Sequence, residues 1–489
     1  MELNKKDKND PSNTSLAYDL MKPRWDLMEA VLGGTETMRA AAYRFLPKHD
    51  EETVAGYTRR INSAVLNNIT EQTLQTLSSK PFADGVAYDD NIPEAVVEQV
   101  LHNVDLLGNN LEVFAKNWFR EGIAKAMCHV LVDYPRTQPK EDGTPRTLED
   151  DRAQKIRPYW VLIKPECVLA ARASVVDGRE VLEHVRIIET LIEEDGFTEV
   201  VVQQIRVLEI GSVTLYRKEK GTKKWKVYDQ WETNLEFIPL VTYYADRDDL
   251  MFAKPPLLDL AYLNIAHWQT TADQRHALTV SSFPILACSG ASPEDSDPIV
   301  IGPNKVLYNP DAQGRFYYVE HTGTAIQSGR DELNDLEDKM AGYGAEFLRK
   351  KSGGQTATAR ALDSAESLSD LAGMTMVFED AIAQAIWYTS RWMGVNTEGA
   401  SGRVILTKDF SSDRVEINTD VLDKARARRD ISRTAYLTAL QREGVLPDDF
   451  DAENDAELLA AEANAMWDLG GSLTDLDPLA KDEDNDEQQ

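Results

Sequence analysis

The chain has 489 residues, too many for one small core, so its length predicts two or three packed units or one large subunit. Hydrophobic residues make up 42% and charged residues 28%, which excludes a wholly disordered chain. With 53 Lys and Arg against 83 Asp and Glu, the net charge of −30 excludes general tight, salt-dependent DNA binding, although DNA can still pass nearby.

The negative charge is concentrated near the C-terminus. Between Asp448 and Gln489 the chain has 15 acidic side chains and one basic one, so this segment carries −14 of the −30. Such a run after Gly471 is typical of a solvated, disordered tail, which we assign to residues 471–489. Residues 456–469 have a helix-forming composition and are expected to end the fold.

The cysteines and the N-terminus indicate the cellular compartment. Cys128, Cys167 and Cys288 are far apart and form no CxxC pair, so neither a disulfide framework nor a zinc site is indicated, and we expect synthesis in a reducing cytoplasm. The first eleven residues are charged and polar, and no apolar stretch approaches the roughly 18 residues of a membrane span. We therefore expect a chain that is neither secreted nor membrane-spanning.

The first third of the chain is predicted to be mainly helical. Helical periodicity runs from about residue 20 to 77, with Gly33-Gly34 as a stop, and resumes in a block over residues 93–127. The apolar run 128–135 is predicted to be a buried strand closed by proline, and the polar stretch 136–156 an exposed loop.

Residue usage changes to strand and turn chemistry between residues 159 and 244. Short runs of Val, Ile, Tyr and Trp alternate with glycines, which predicts a β meander. Residues 213–216 and 225–228 are predicted to be paired strands with one wet face, joined by a turn at 219–222.

The next segment predicts two helices around a compact β insertion. Pro255-Pro256 opens a helix over residues 257–280, and short strands follow around 285–287, 299–301, 305–308 and 316–319. A second helix is predicted over 328–348. Its apolar residues step by three and four, which is heptad spacing: Leu333, Leu336, Met340, Tyr343 and Phe347.

The last third begins with a glycine-containing basic loop. Arg349, Lys350 and Lys351 precede Gly353 and Gly354, which disfavour continuation of the helix. A long helix is predicted from about residue 357 to Gly394, then a hairpin of 404–410 with 414–417, then one helix over 420–442. These elements together predict an α+β fold.

No catalytic pattern stands out. The sequence contains no P-loop, GxGxxG, HExxH or GxSxG in a supporting context, so we expect no enzyme, no cofactor and no metal. Asp246, Asp248 and Asp249 resemble a solvated turn more than a cation site. His267 and His276, nine positions apart on one predicted helix, fall on opposite faces and cannot form one site.

Other candidates also have plain structural explanations. Cys128-His129 near Asp133 lies in a strand interior, where cysteine is usually inert. The basic loop at 349–351 either caps a helix C-terminus or touches phosphates transiently. A further basic run on the last helix can equally pair with acidic neighbours; its members are Lys424, Arg426, Arg428, Arg429 and Arg433.

The order of helix, β insertion, heptad helix, glycine-containing loop and long helix resembles that of tailed-bacteriophage portal proteins. The sequence motifs are similar to those of one portal subfamily long catalogued as a domain of unknown function. The N-terminal motifs are Trp25, 33–39, 45–47, 57–60 and Asn67-Asn68. The later motifs are 132–135, 157–159, 238–241, 255–264, 283–286 and 356–359.

The resemblance covers residues 20–445 and implies a domain plan. It implies a polar arm (1–20), a wing (21–256), a first stem helix (257–280), a clip (281–327), a second stem helix (328–348), a tunnel loop (349–360), a long wing helix with a hairpin (361–419), and crown-side helices (420–470). The heptad residues would pack the stem. Three residues of the second stem helix would form an acidic channel wall: Asp331, Asp335 and Asp338.

The resemblance also implies a function and partners. Portal proteins form a closed ring of about twelve identical subunits at one capsid vertex, through which a separate terminase motor drives double-stranded DNA in and the genome later leaves. The implied partners are the terminase, the major capsid protein, a neck or tail adaptor, a scaffolding protein, and DNA passing without sequence-specific binding. The implied location is the virion, after assembly in the host cytoplasm.

Two other classes of protein remain open. One is another ring-forming neck or tail adaptor. The other is a capsid-associated nuclease or protease, for which the sequence offers no carboxylate or Ser/His constellation.

Overall fold

The computed structural model describes residues 7–89, 91–136, 147–218, 224–282, 285–289, 313–319, 324–346, 369–395, 402–408, 410, 419–428, 430–442, 446, 450 and 455–456. The chain divides into two compact units, residues 1–410 and 411–489.

The described helices of the first unit begin at polar caps where the sequence supplies them. Ser15, Asn110 and Ser369 each accept a hydrogen bond from the backbone N–H three residues later. The helices are α1 (Leu16–Leu32), α2 (Gly34–Ala40), α3 (Ala42–Phe45), α4 (Val54–Ser63), α5 (Ile69–Ser79), α6 (Glu94–Val96), α7 (Leu111–Lys125), α8 (Leu148–Ala153), α9 (Leu258–Ser281), α10 (Thr324–Glu346) and α11 (Asp370–Trp392).

The described strands of this unit are all paired antiparallel. They are β1 (Ala87–Tyr88), β2 (Met127–Asp133), β3 (Tyr159–Ile163), β4 (Val168–Val176), β5 (Arg179–Asp195), β6 (Thr198–Glu209), β7 (Ser212–Lys218), β8 (Trp225–Glu232), β9 (Leu240–Tyr244), β10 (Arg247–Asp249), β11 (Phe252–Ala253), β12 (Ile285–Ser289), β13 (Arg315–Val319) and β14 (Val404–Ile405). Short turns of 3₁₀ or π-helix cover Lys80–Phe82, Val97–Leu101 and Pro165–Cys167.

A three-stranded sheet of order β3-β2-β9 lies at the centre of the first unit. Its middle strand is the predicted buried strand, and its residues up to Val132 are fully buried. One face of this sheet packs on α7 and α11 through an aromatic cluster, in which the Trp118 and Phe378 ring centroids lie 5.1 Å apart. The Trp118 indole N–H donates to the Cys128 carbonyl at 3.0 Å.

The predicted β meander is confirmed as a five-stranded sheet of order β4-β5-β6-β7-β8. Val185 pairs with Leu208, which pairs in turn with Val213, so one face of the meander carries a continuous apolar row. This row belongs to the core cluster that also contains Met127 and Leu131 of β2. The helices and antiparallel sheets make the first unit α+β, as predicted.

Three predicted elements of the first unit are wrong. The block 93–127 is not continuous, because Leu106 and Gly108 adopt positive φ between the π-helical turn and α7. The stretch 136–156 is not all loop, because a capping box between Thr147 and Asp150 starts α8. Finally, the long helix predicted from about residue 357 to Gly394 begins at Asp370, because the extended Ser369 caps its first turn. Val404–Ile405 pairs with Ala87–Tyr88, and its predicted partner, residues 414–417, lies outside the described residues.

The second unit contains two described helices rather than the single predicted one. They are α12 (Thr419–Ala427) and α13 (Arg433–Arg442). Ser432 accepts a hydrogen bond from the Ala435 N–H and so starts a new helix, while the Arg426 guanidinium donates to the Ile431 carbonyl in the break. Arg433 of the basic run forms an intramolecular ion pair with Asp455 at 2.6 Å.

Candidate functional site

The candidate site is the pair formed by α9 and α10, because it contains the predicted acidic and heptad residues. α9 begins after Pro255-Pro256, as predicted, and its N-terminal half is buried, including Leu260 and Trp268. Its C-terminal part is more exposed, with Arg275, His276 and Leu278 on the surface. α9 therefore starts in the core and ends at its periphery.

A buried amide fixes the base of α9. Asn264 is fully buried, and its Oδ1 accepts from both the backbone N–H and the hydroxyl of Thr70, at 3.1 and 3.0 Å. Its Nδ2 donates to the Asn67 carbonyl at 2.7 Å. Because every polar atom of this amide has a partner, α9 is held in one position against the start of α5.

The heptad residues of α10 lie towards the core of the single chain. Met340 is fully buried and Leu336 is 6% exposed, while Leu333 and Tyr343 are half-buried. The Tyr343 hydroxyl lies 3.4 Å from the Pro256 carbonyl at the start of α9. The side chain of Phe347 is outside the described residues. Substituting Leu336 or Met340 would therefore damage the subunit itself, and so would not report on contacts between subunits alone.

Polar contacts set the register between α9 and α10. His267 Nε2 lies 3.1 Å from Glu337 Oε1, which also accepts from Asn67 Nδ2 at 3.2 Å. Further towards the β insertion, Gln274 Nε2 donates to the Ile326 carbonyl at 2.6 Å. A Cβ on Gly329 would lie 2.2 Å from Gln274 Oε1, so glycine permits this close approach.

The three predicted wall residues lie on one exposed face of α10. Asp331, Asp335 and Asp338 are all exposed, and Gln327 Nε2 donates to Asp331 Oδ1 at 2.8 Å. At roughly 100° per residue, the three aspartates fall within about 60° of one another and about 180° from Met340. We call Asp331, Asp335 and Asp338 the acidic ridge.

A two-stranded ribbon joins the two helices. β12 and β13 pair over five residues, from Ile285 opposite Val319 to Ser289 opposite Arg315. These strands coincide with the first and last of the four predicted strands of the β insertion. The other two, around 299–301 and 305–308, lie outside the described residues, as do Arg349, Lys350, Lys351, Gly353 and Gly354 of the predicted tunnel loop.

The remaining acidic and histidine candidates lie either at the surface or in the core. Asp246, Asp248 and Asp249 are exposed, and no group of three or more His, Cys, Asp or Glu side chains in the described part of the chain could hold a metal ion. His267 is buried and His276 exposed.

Cys128 and His129 lie inside the core, as the inert interpretation predicts. Complete burial raises the pKa of the Cys128 thiol well above its usual value. Burial also lowers the pKa of His129 to about 3, and its Nδ1 lies 2.9 Å from the Thr242 hydroxyl. A thiol and an imidazole that both stay neutral in an apolar interior are poor catalytic groups.

Sequence reasoning missed a third basic segment. Residues 217–226 contain six Lys and Arg against one Glu; Arg217 and Lys218 end β7, Lys226 lies in β8, and 219–223 lie outside the described residues. The signal in the sequence is the run of like charges, which the prediction of a turn between two strands does not use.

No helix within the described ranges has both the length and the apolar character needed to cross a membrane.

Comparison with known proteins places one family match on the candidate site. The profile described as "Domain of unknown function (DUF4055)" matches residues 256–393, which include α9, α10 and α11. No curated protein matches the chain.

Chains of three solved structures are similar to this one at low sequence identity. A chain of "Neck of native GTA particle computed with C12 symmetry" has a TM-score of 0.39 at 10% identity, covering 83% of this chain and 98% of that one. For "Neck of empty GTA particle computed with C6 symmetry" the TM-score is 0.41 at 12% identity, with coverages of 83% and 98%. For "Virion of native gene transfer agent (GTA) particle" it is 0.36 at 10%, with coverages of 86% and 98%. These scores are too low to establish a shared fold on their own.

Proposed function

We propose that the chain is the portal protein of a tailed bacteriophage. About twelve copies would form a closed ring at one capsid vertex. The ring would be the channel for DNA packaging and ejection, and the docking site first for the terminase motor and then for neck or tail adaptors. The chain would have no enzymatic activity, because the ATPase would be part of the motor.

The observation that carries this proposal is the acidic ridge opposite the buried stripe of α10. One side of the helix is held by the subunit core through Leu336 and Met340, so the opposite side is available to face a channel. Repeated around a ring, Asp331, Asp335 and Asp338 would make acidic belts. Such a wall repels phosphate, whereas a basic wall would have to release every phosphate it bound.

The order of elements supports the same assignment. α9 and α10 would be the stem helices and the β12–β13 ribbon part of the clip that meets the motor and adaptors. The family match begins at residue 256, one residue before the predicted first stem helix, and continues into α11. The sequence resemblance places the tunnel loop between α10 and α11.

Particle shape and mass test the proposal. Negative-stain images of the purified chain should show rings with a central hole, and native mass measurement should give about twelve times the 54.9 kDa subunit mass. A stable monomer under all assembly conditions would contradict the portal assignment. Magnesium-dependent cutting of DNA by that monomer would favour the enzyme class instead.

Rings alone do not separate a portal from another neck or tail adaptor. A gene deletion separates the portal from the adaptor. The gene is deleted from a phage that carries it, and the protein is supplied in trans as the control. A portal is required for any DNA to enter the capsid. Loss of the adaptor would leave packaged heads without tails, and that result would contradict the portal assignment.

A further inference from the structure

We infer that neighbouring copies of this chain join by strand pairing, with the outer edge of β8 in one copy adding to the far end of β5 in the next. This inference rests on the proposed ring. The occupant of each edge is a second copy of the chain, and the contact is heterologous because two different edges of one sheet meet.

The far end of the β5–β6 hairpin extends beyond its own sheet. β4 pairs with β5 only as far as Ile187, and β7 pairs with β6 from Glu209 out to Gln204. Beyond these points β5 and β6 pair with each other to the turn, where Asp195 lies opposite Thr198. We call residues 191–202 the hairpin arm. Its five residue pairs span about 17 Å at roughly 3.4 Å per residue.

The hairpin arm exposes apolar side chains. Ile192 and Val201 lie directly opposite each other and are each 65% exposed, while Phe197 at the turn is fully exposed. Two-stranded hairpins are marginally stable in water, and an unpaired edge is a template for another strand. Among the described strands, none pairs with the outer edge of β5 in the arm, so the arm has both the apolar surface and the backbone groups that a strand partner would cover.

The second edge belongs to β8, the last strand of the sheet. Within the described residues, β8 pairs with β7 on one side and with no strand on the other. It also exposes apolar side chains, Val227 at 55% and Tyr228 at 60%. Both strands thus have an open side with half-exposed apolar groups.

The two edges carry opposite charge. Residues 189–199 contain five carboxylates and no cation, of which Glu189 pairs with Arg206 and Glu193 with Arg217 of the same copy. The described residues at the end of β7 and the start of β8 are basic at Lys218, Lys224 and Lys226 and include no carboxylate. Glu194 and Glu199 lie directly opposite each other in the arm, a like-charge pair that is unfavourable without a nearby cation. Lys224 and Lys226 are exposed at the start of β8 and can supply that charge in the next copy.

Strand direction allows the two edges to meet. Because the sheet is antiparallel, β5 and β7 run towards the end where the arm lies, and β6 and β8 run back from it. Two copies placed side by side with their arms pointing the same way would bring β8 of one antiparallel to β5 of the other. The lysines at the start of β8 would then face the carboxylates at the end of β5. A repeated rotation of this contact closes a ring.

Charge exchange tests this contact. The arm variant carries Glu194→Lys and Glu199→Lys, and the edge variant carries Lys224→Glu and Lys226→Glu. Each alone should reduce assembled rings at least about tenfold in native mass spectra at fixed protein concentration, since like charges would face each other across the contact. A variant with all four changes should assemble again.

Mixing the two variants gives a sharper result. Every contact in a ring that alternates arm variant with edge variant pairs opposite charges, so the mixture should form rings in which the two masses occur in equal numbers. A control with Glu183→Lys and Glu112→Lys, two exposed carboxylates away from both edges, changes the net charge by the same amount as the arm variant and should assemble normally. Melting temperatures of the variants check that the subunits fold.

The outcomes separate this inference from the proposed function. If the wild type forms rings, and the arm variant and the edge variant each form rings equally well, the strand-pairing contact is overturned. The portal proposal then remains intact. The contact is also overturned if the variants are folded but ring assembly returns neither in the variant with all four changes nor in the mixture of the two variants. A wild-type chain that never assembles would overturn both proposals.

Discussion

His267 and Glu337 link α9 to α10 through a contact of 3.1 Å between the imidazole Nε2 and a carboxylate oxygen. His267 is buried, and Asn67 donates to the same oxygen, so one carboxylate connects both helices to the segment before α5. The sequence predicted that His267 and His276 do not share a site, but it gave no sign of this partner 70 residues away.

Removing the Glu337 carboxylate should loosen the helix pair. Glu337→Ala leaves the buried imidazole and the Asn67 amide without this acceptor, so we expect a loss of about 1–2 kcal/mol, or about 1–2 °C in melting temperature. Glu337→Gln keeps an acceptor oxygen and should stay near wild type. Glu332→Ala, at an exposed position of the same helix, is the matched control. Equal melting temperatures for all three variants would show that this contact does not hold the helices.

Replacing either of two helical glycines by alanine should change the stability of the chain, but in opposite directions. A Cβ on Gly122 of α7 would lie 2.3 Å from the Tyr243 ring, so Gly122→Ala should cost roughly 1–3 kcal/mol. A Cβ on Gly342 of α10 meets nothing within 4 Å, so Gly342→Ala should stabilise the chain by roughly 0.5–1 kcal/mol. Urea unfolding of the two variants measures both effects, and a stabilising Gly122→Ala would contradict the close packing of α7 on β9.

The buried His129 should make the stability of the fold depend on pH. Burial lowers its pKa from about 6.5 in the unfolded chain to about 3 in the fold. Because the folded pKa is depressed, the contribution of the neutral imidazole is fully present above about pH 6.5 and is lost as the pH falls towards about 3. His129→Gln cannot take up this proton. The stability difference between wild type and His129→Gln should therefore shift in favour of the variant by at least about 1 kcal/mol on acidification. A difference that stays constant over this range would show that His129 titrates normally in the fold.

The elements that the sequence predicted well are those set by local pattern. Apolar spacing located the helix of Leu336 and Met340 and the side it buries, because a helical period follows directly from the residues. The pattern could not say whether that side is buried within one subunit or between subunits. The pairing of β14 with β1 depends on residues far apart in the chain, and Val404 shows no local sign of Tyr88 as its partner.

The candidate site was predictable to a similar extent. Spacing alone put the three aspartates of the acidic ridge on one side of α10, and the structure leaves them exposed. The charge contrast between the hairpin arm and residues 217–226 is also present in the sequence. Its significance depends on both segments lying at the same end of one sheet, which requires the strand order.

The predicted tunnel loop should affect DNA retention but not ring assembly. If Lys350 and Lys351 meet passing phosphates as screened point charges, the double change Lys350→Ala and Lys351→Ala should leave ring assembly and melting temperature nearly intact. The same variant should retain less DNA at the end of packaging, measured as nuclease-resistant DNA per capsid. If the lysines instead cap a helix and lie buried at a subunit boundary, ring assembly would be lost with no separate effect on DNA, and that result would contradict the tunnel-loop assignment.

Reversing the charge of the acidic ridge should separate channel function from assembly. Asp331, Asp335 and Asp338 are exposed on the opposite side of α10 from Met340, so changing all three to lysine should leave the melting temperature of the subunit within a few degrees of wild type. The belts would become basic, and phosphates passing them would be held and released in a salt-dependent way. Packaging or ejection should therefore slow, most strongly at low ionic strength, while ring formation is kept. Changing Glu332 and Asn334, exposed neighbours on either side of the ridge, to lysine gives a control with half the change in charge, and its effect per unit of charge should be smaller. Unchanged phage yield with intact rings would show that α10 presents a different face to the DNA, and loss of rings in the triple variant alone would place the ridge at a subunit boundary.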